Sequence, residues 1–163
     1  MTAAVSGRVF EKSVSIFVYS VIMCHMSKKK RNEENPGKVL IPVNHPNPPE
    51  PHEVDVAEIL AQHYQTVVQF LIPVDDYMRK SADIVMNGIE WEIKCPHGAS
   101  RSTISNQLRW ATKQARSVII DSRHTKLEYD GIEKKVRFEA NRKSTIKRAI
   151  LIDKSGKVVE IKK

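Results

Sequence analysis

Cysteine is nearly absent from the chain, with only Cys24 and Cys95 among 163 residues. Two cysteines make neither a disulfide framework nor a zinc pattern, so a reducing compartment is the default. Aromatic residues are 6% of the total. Only Trp110 falls on the helix that reads as most basic, no base-reading motif is present, and stacking on single-stranded bases has few candidates. No internal repeat is visible. Long apolar runs are also missing: the densest stretch, residues 14–23, is too short to span a bilayer. A lysine cluster follows it where a secretory signal would need small residues for cleavage. No stable membrane association is expected, and residues 1–25 read best as an upstream extension, with Met26 as the true start.

Acidic residues are in the minority, 19 against 27 Lys and Arg, giving a net charge of +8 and a pI near 9.5. Without the first 25 residues the counts become 25 and 18, so the charge argument survives at +7. A polyanion, nucleic acid first of all, is the expected partner. The length suits one domain plus a tail. Residues 27–51 carry Lys28, Lys29, Lys30 and Arg31 and then five prolines from Pro42 to Pro51, a density that disfavours helix and sheet. Residues 1–50 are therefore expected to be a disordered or extended tail and 51–163 the folded domain.

The domain is organised around residues 82–94, two alternating patterns joined by Asn87-Gly88, the strongest short hairpin signal. A two-residue turn pairs Met86 with Ile89, Val85 with Glu90, Ile84 with Trp91 and Asp83 with Glu92. Ile84, Met86, Ile89, Trp91 and Ile93 then share a core face, while Asp83, Glu90, Glu92 and Lys94 share the other. Two opposed carboxylates about 5 Å apart repel by roughly 3 kcal/mol at an effective dielectric near 20. A hard divalent cation relieves that repulsion, with Lys94 beside it for a phosphate or a polarised water. The plainer reading is a solvated acidic face with Lys94 as cross-strand ion-pair partner.

The spacing of Asp83 and Glu92-Ile93-Lys94, with Ala82 at the usual proline position, resembles the D…ExK core of the PD-(D/E)XK nuclease superfamily. The longer run from Trp91 to Gly98, then Arg101-Ser102-Thr103-Ile104, Gln114-Ala115 and Val118-Ile119-Ile120-Asp121, is similar to the C-terminal nuclease domains of contact-dependent growth inhibition (CdiA-type) toxins. The resemblance covers about residues 46–163. It implies cleavage of RNA, often tRNA, with Asp83, Glu92 and Lys94 catalytic and a divalent metal, Mg2+ first and Zn2+ or Mn2+ as alternatives, held by Asp83 and Glu92. It also implies a third carboxylate from the preceding helix, and the match falls on Glu53. By itself Glu53 reads as a helix first-turn residue favoured by the dipole.

The remaining elements follow from pattern. Residues 51–65 are helical with Val54, Ala57, Leu60 or Ala61, and Tyr64 on one face. Residues 66–72 are β-branched and form the first strand, and 75–80 a loop with Asp75 and Asp76 in surface turns. A Pro/Gly/Ser loop, 95–101, ends at Ser102 or Thr103 as helix cap. The helix packs with Ile104, Leu108, Ala111 and Ala115 and turns Asn106, Arg109, Lys113 and Arg116 outward. Its N-terminus and Arg101 are expected beside the carboxylates, so His97, Arg101, Ser102, Thr103, Arg109 and Lys113 are the nucleic-acid or phosphate contacts. A strand at 118–121, a helix at 131–142 with Ile132, Val136 and Phe138 inward, and a closing hairpin complete the chain. The fold class is α/β, a mixed β-sheet flanked by helices, with the superfamily core α-β-β-β-α-β and an added C-terminal helix and β-hairpin.

Function divides three ways. The first is a metal-dependent phosphodiesterase. The second is a metal-free ribonuclease in which Lys94, His97, Arg101, Ser102 and Thr103 perform acid–base chemistry on the ribose 2′-hydroxyl. The third is a nucleic-acid-binding module without catalysis. RNA against DNA is left to the resemblance, which also implies a toxin acting in the cytoplasm. Charge complementarity to the basic helix suits an acidic immunity or antitoxin protein.

Overall fold

A computed structural model describes residues 37–73, 81–100 and 102–163, all within one compact unit. Cys24, the apolar run at 14–23, the basic tetrad 28–31, Asp75, Asp76 and Arg101 lie outside the described residues. No described helix is long and apolar enough to cross a membrane.

Seven strands form one sheet whose spatial order is the order of the chain. They are β1 (Lys38–Leu40), β2 (Val67–Phe70), β3 (Ile84–Met86), β4 (Ile89–Lys94), β5 (Ser117–Asp121), β6 (Arg148–Ile152) and β7 (Val158–Lys162). Helix α1 (Pro51–Tyr64) crosses between the parallel strands β1 and β2. Helices α2 (Ser102–Ala111) and α3 (Tyr129–Arg142) make the crossovers of the parallel run β4-β5-β6. The hairpins β3-β4 and β6-β7 are antiparallel, as is β2-β3. The sheet is mixed, with apolar cores on both faces.

On one face, Val56, Ala57, Leu60 and Ala61 of α1 pack on Ile84, Met86, Trp91, Ile93 and Ile119. On the other, Ile104, Leu108 and Ala111 of α2 and Ile132 and Val136 of α3 cover Val118, Ile120, Ala149 and Leu151. Adjacent strand residues thus serve different cores, which is why β5 is buried at every position. Across the second layer Ser105 donates to Glu139 at 3.0 Å, and Lys135, Arg142 and Lys143 pair with the same carboxylate. These partners hold Glu139 well below the usual range, at about 2, against the opposing effect of its burial.

The Asn-Gly turn has the expected form. Asn87 and Gly88 both have positive φ, 53° and 72°, as a type I′ turn requires, and the register is Met86–Ile89, Val85–Glu90, Ile84–Trp91. Helix α1 and the closing hairpin also fall where their patterns place them, although Val56 rather than Val54 is fully buried. The first strand is shorter than its β-branched run, Val67–Phe70.

Three expectations are corrected. The stretch read as tail supplies β1, and His45 within it donates from Nε2 to the Leu71 carbonyl at 3.0 Å. Pro42 to Pro51 do not prevent this because the strand described there precedes them and lies at the sheet edge. Phe138 is 59% exposed instead of inward; Lys135 and Arg142 stand 5.9 and 5.7 Å from its ring centroid, a cationic cladding that stabilises an exposed aromatic. Helix α2 begins at Ser102, whose N–H donates to the Ser100 hydroxyl at 3.3 Å, so the side-chain acceptor comes from two residues earlier than Ser102.

The docking of the β1 segment is testable at Gly37. A Cβ there would lie 1.9 Å from the backbone oxygen of Ala61, so neither side can yield cheaply. Gly37→Ala is expected to lower unfolding free energy by about 1–3 kcal/mol in urea titrations. An unchanged midpoint would mean that this segment does not seat on α1.

Candidate active site

Asp83 stands just outside the β3–β4 ladder, its backbone clamped on both sides. The Leu71 N–H donates to its carbonyl at 2.9 Å, and its own N–H donates to the Trp91 carbonyl at 3.1 Å. The Asp83 side chain is held as well, with Oδ2 accepting the Ile93 N–H at 2.6 Å. That contact brings it near Glu92, and each carboxyl acts electrostatically on the other.

Glu92 lies on the sheet face covered by α2 and is 0% exposed. Its Oε1 accepts both the Lys94 ammonium and the Gln114 amide, while Oε2 is buried with no partner among the described residues. The ladder ends at Ile84–Trp91, so Asp83 lies beside Glu92 just beyond it, and Glu92 does not stand on a solvated face. Burial pushes Glu92 up to about 7, Asp83 adds to the rise, and Lys94 opposes it. Asp83 is raised too, first by burial; the Ile93 N–H and Lys94 pull it down and Glu53 pushes it up.

Glu53 is therefore close enough to act on Asp83, yet its Oε2 accepts the Glu50 N–H at 3.0 Å in a capping box. Among the described residues no three His, Cys, Asp or Glu side chains gather as a metal-ligand group. Asp83 and Glu92 remain a suitable donor pair for a hard cation, with oxygens only, one of them orphaned. Two carboxylates plus water or phosphate oxygens match the way Mg2+ is usually held.

A cleft of about 390 Å3 opens beside Asp83, walled by His45, Glu50, Glu53, Leu71, Ser81 and Gln114. His45 was not singled out from sequence, and Gln114 entered only through the Gln114-Ala115 pair of the resemblance, with no role at the site. Nothing in local pattern marks them, since His45 comes from the proline-rich segment and Gln114 from the turn after α2. The expectation that the N-terminus of α2 serves the carboxylates is corrected in the same way: Gln114, beyond the helix C-terminus, is what reaches Glu92. The helix runs back along β4, so its far end covers the middle of that strand.

The other expected contacts are spread out. His97 is exposed in the β4–α2 loop, with its ring 5.8 Å from that of His124. Ser102 is exposed and Thr103 half-buried against Gly98. Arg109 and Lys113 are exposed on and just after α2. Cys95 gives its thiol to Asp121 at 3.7 Å, and burial and Asp121 push it up to about 12, which makes it a poor nucleophile.

The raised Glu92 has a consequence for stability. In the folded chain it keeps its proton to about pH 7, whereas unfolded it releases it near 4.5. Between those values the folded state binds more protons, so stability falls as pH rises. Glu92→Gln is expected to match wild type near pH 4 and to be more stable at pH 8 by on the order of 1–3 kcal/mol. Denaturant curves at the two pH values measure it, and an equal gap at both would remove the buried-proton account.

With this geometry established, the chain can be compared with known proteins. Residues 80–158 match the family described as contact-dependent growth inhibition CdiA C-terminal domain. No curated protein matches the chain. A solved structure described as the CdiA-CT/CdiI toxin and immunity complex from Burkholderia pseudomallei is similar in fold, with a TM-score of 0.58 at 17% identity, over 78% of this chain and 100% of that one. The matched segment includes Asp83, Glu92, Lys94, Gln114 and Asp121. Over residues 80–158 the chain is thus similar to the contact-dependent growth inhibition CdiA C-terminal domains.

Proposed function

We propose that this toxin-family domain is a metal-dependent nuclease of PD-(D/E)XK type, acting on RNA phosphodiesters, tRNA first, in the cytoplasm of the cell it harms. The observation that carries the reading is the buried Asp83–Glu92 pair with an orphaned Glu92 oxygen and Lys94 on the same carboxylate. A structural ion pair needs only one carboxylate for one lysine. A second one forced against it in a desolvated position raises both groups and costs stability, the pattern of a site built for a cation.

Asp83 and Glu92 would hold the metal, with Glu53 adding to its shell through water. A divalent ion there supplies Lewis-acid polarisation of the phosphoryl group and a water acidic enough to attack it. The chain's own residues do the rest. The Ile93 N–H fixes the Asp83 carboxylate and Gln114 fixes that of Glu92, so neither ligand must be ordered during reaction. The Lys94 ammonium places a positive charge where negative charge develops on phosphorus. Burial under α2 keeps bulk water from screening that charge.

Labelled tRNA and duplex DNA, with and without EDTA, test the reading. Cleavage is expected with Mg2+ or Mn2+, to vanish in chelator, and to fall by at least about 100-fold in Asp83→Asn, Glu92→Gln and Lys94→Ala. Metal binding must displace the proton that burial keeps on Glu92, so activity should rise with pH through about 7. Undiminished cutting in EDTA would overturn the mechanism, and DNA cut in preference to RNA would overturn the substrate. In cells, induction of wild type should arrest growth and Glu92→Gln should relieve it. Equal arrest by both would reject catalysis as the cause. We further propose an acidic immunity protein as partner, which the net positive charge of the chain suits and which the solved relative's toxin–immunity pairing supports.

A further inference from the structure

A second group of polar side chains gathers at the C-terminal ends of the parallel strands β4 and β5, outside the carboxylate pair. Asp121 closes β5 and is 0% exposed. Arg123 returns onto it, with Nε donating to Oδ1 and Nη2 to Oδ2, each at 2.9 Å, and its backbone N–H donating to Oδ1 at 3.1 Å. The guanidinium plane is thereby fixed while Nη1 is left clear of Asp121. The Arg123 side chain keeps 20% of its surface exposed.

The next residue, His124, faces His97 across two loops, with ring centroids 5.8 Å apart and planes tilted by 33°. Both histidines are exposed. The loops that carry them are stapled together by the buried Thr125, whose hydroxyl donates to the Gly98 carbonyl at 3.1 Å. A guanidinium and two imidazoles are thus presented to solvent on buried anchors. A fold needs the Asp121–Arg123 pair to close the loop, but it has no need to set a second imidazole opposite the first.

This group adjoins the carboxylate centre. Cys95, which donates to the same Asp121, directly follows Lys94, and Glu53 acts electrostatically on both Asp83 and Cys95. An arginine fork matches phosphate oxygens. An imidazole always offers at least one N–H donor, whatever its protonation. Asp55 of α1 acts on Arg123, and Asp121 neutralises part of its charge, so a free phosphate ion gains little here. A phosphate that belongs to a chain already held at Lys94 arrives without that translational cost.

We propose that Arg123, His97 and His124 form a second phosphate subsite, which grips a phosphodiester of the substrate chain neighbouring the one at Asp83, Glu92 and Lys94. The inference rests on the nuclease reading of that centre. Open strand ends of a parallel run are where chains of this topology receive ligands. The subsite would make the enzyme favour polymers over dinucleotides.

The test uses the full chain carrying Glu92→Gln, which separates binding from cleavage, with fluorescently labelled tRNA titrated at several salt concentrations. Arg123→Ala is expected to weaken binding by about tenfold and to flatten the dependence of log Kd on log salt by about one phosphate. His124→Ala, at an exposed position whose loss should not disturb folding, should weaken it by about threefold. Circular dichroism checks that each variant is folded. Unchanged affinity and slope in His124→Ala and in folded Arg123→Ala would overturn the subsite. Failure of the nuclease reading shows separately, as a wild-type chain that binds tRNA and cuts neither RNA nor DNA in any metal.

Discussion

The structure turns on two neighbouring carboxyls, one half-buried at the wall of a cleft and the other wholly buried. Glu92 is wholly buried, Asp83 is pressed against it, and burial outweighs the lysine beside them, so Glu92 remains partly protonated near neutrality. The compensating groups come from two separate parts of the chain: the Ile93 N–H and the Lys94 ammonium from β4, and the Gln114 amide from the turn after α2. The site therefore exists only when the hairpin register and the α2 crossover are both correct. A one-residue slip of the hairpin would send Glu92 into the α1 core and Ile93 into its place.

This arrangement makes stability and chemistry pull in opposite directions. Glutamine at position 92 would keep a similar shape and shed the unfavourable charge, so the more stable sequence is the one without the ionisable group that the proposed metal role requires. Proteins commonly retain such local costs at functional sites, where the surrounding fold over-determines the strained group. Here the surroundings are two apolar cores, one on each sheet face, locked across the hairpin strands. The Glu139 network, which joins α2 to α3, holds the second helix layer that carries Gln114.

What was legible in the sequence was local. Asn87-Gly88 dictates a type I′ turn, and a two-residue turn fixes the register, so the meeting of Asp83 and Glu92 follows from thirteen residues alone. Helical spacing found α1, α2 and α3 for the same reason. Burial of the second hairpin face was not legible, because alternation reports one apolar face and cannot show that a later helix covers the polar one. Strand β1 escaped notice because its partner, β2, is about 29 residues away and the prolines around it dominate the composition. Phe138 misled because its period is inward while its ring is satisfied by cations outside. His124 and Arg123 have no pattern at all, and Gln114 and Asp121 entered only through the resemblance.

The place of β4 in the sheet explains why the chemistry collects around it. It pairs antiparallel with β3 on one side and parallel with β5 on the other. The antiparallel side needs only a tight turn, which brings Asp83 back beside β4, where its carboxylate accepts the Ile93 N–H. The parallel side needs a crossover helix, which returns Gln114 to the middle of β4 and brings the end of β5 beside the end of β4. A strand with two hairpin neighbours would have the carboxylate pair but no helix to bury it, and a strand with two parallel neighbours would lack the directly opposed carboxylate. A strand at such a junction can acquire both, as β4 does, and the loops that leave β4 and β5 then meet at its rim, where His97 and His124 face each other.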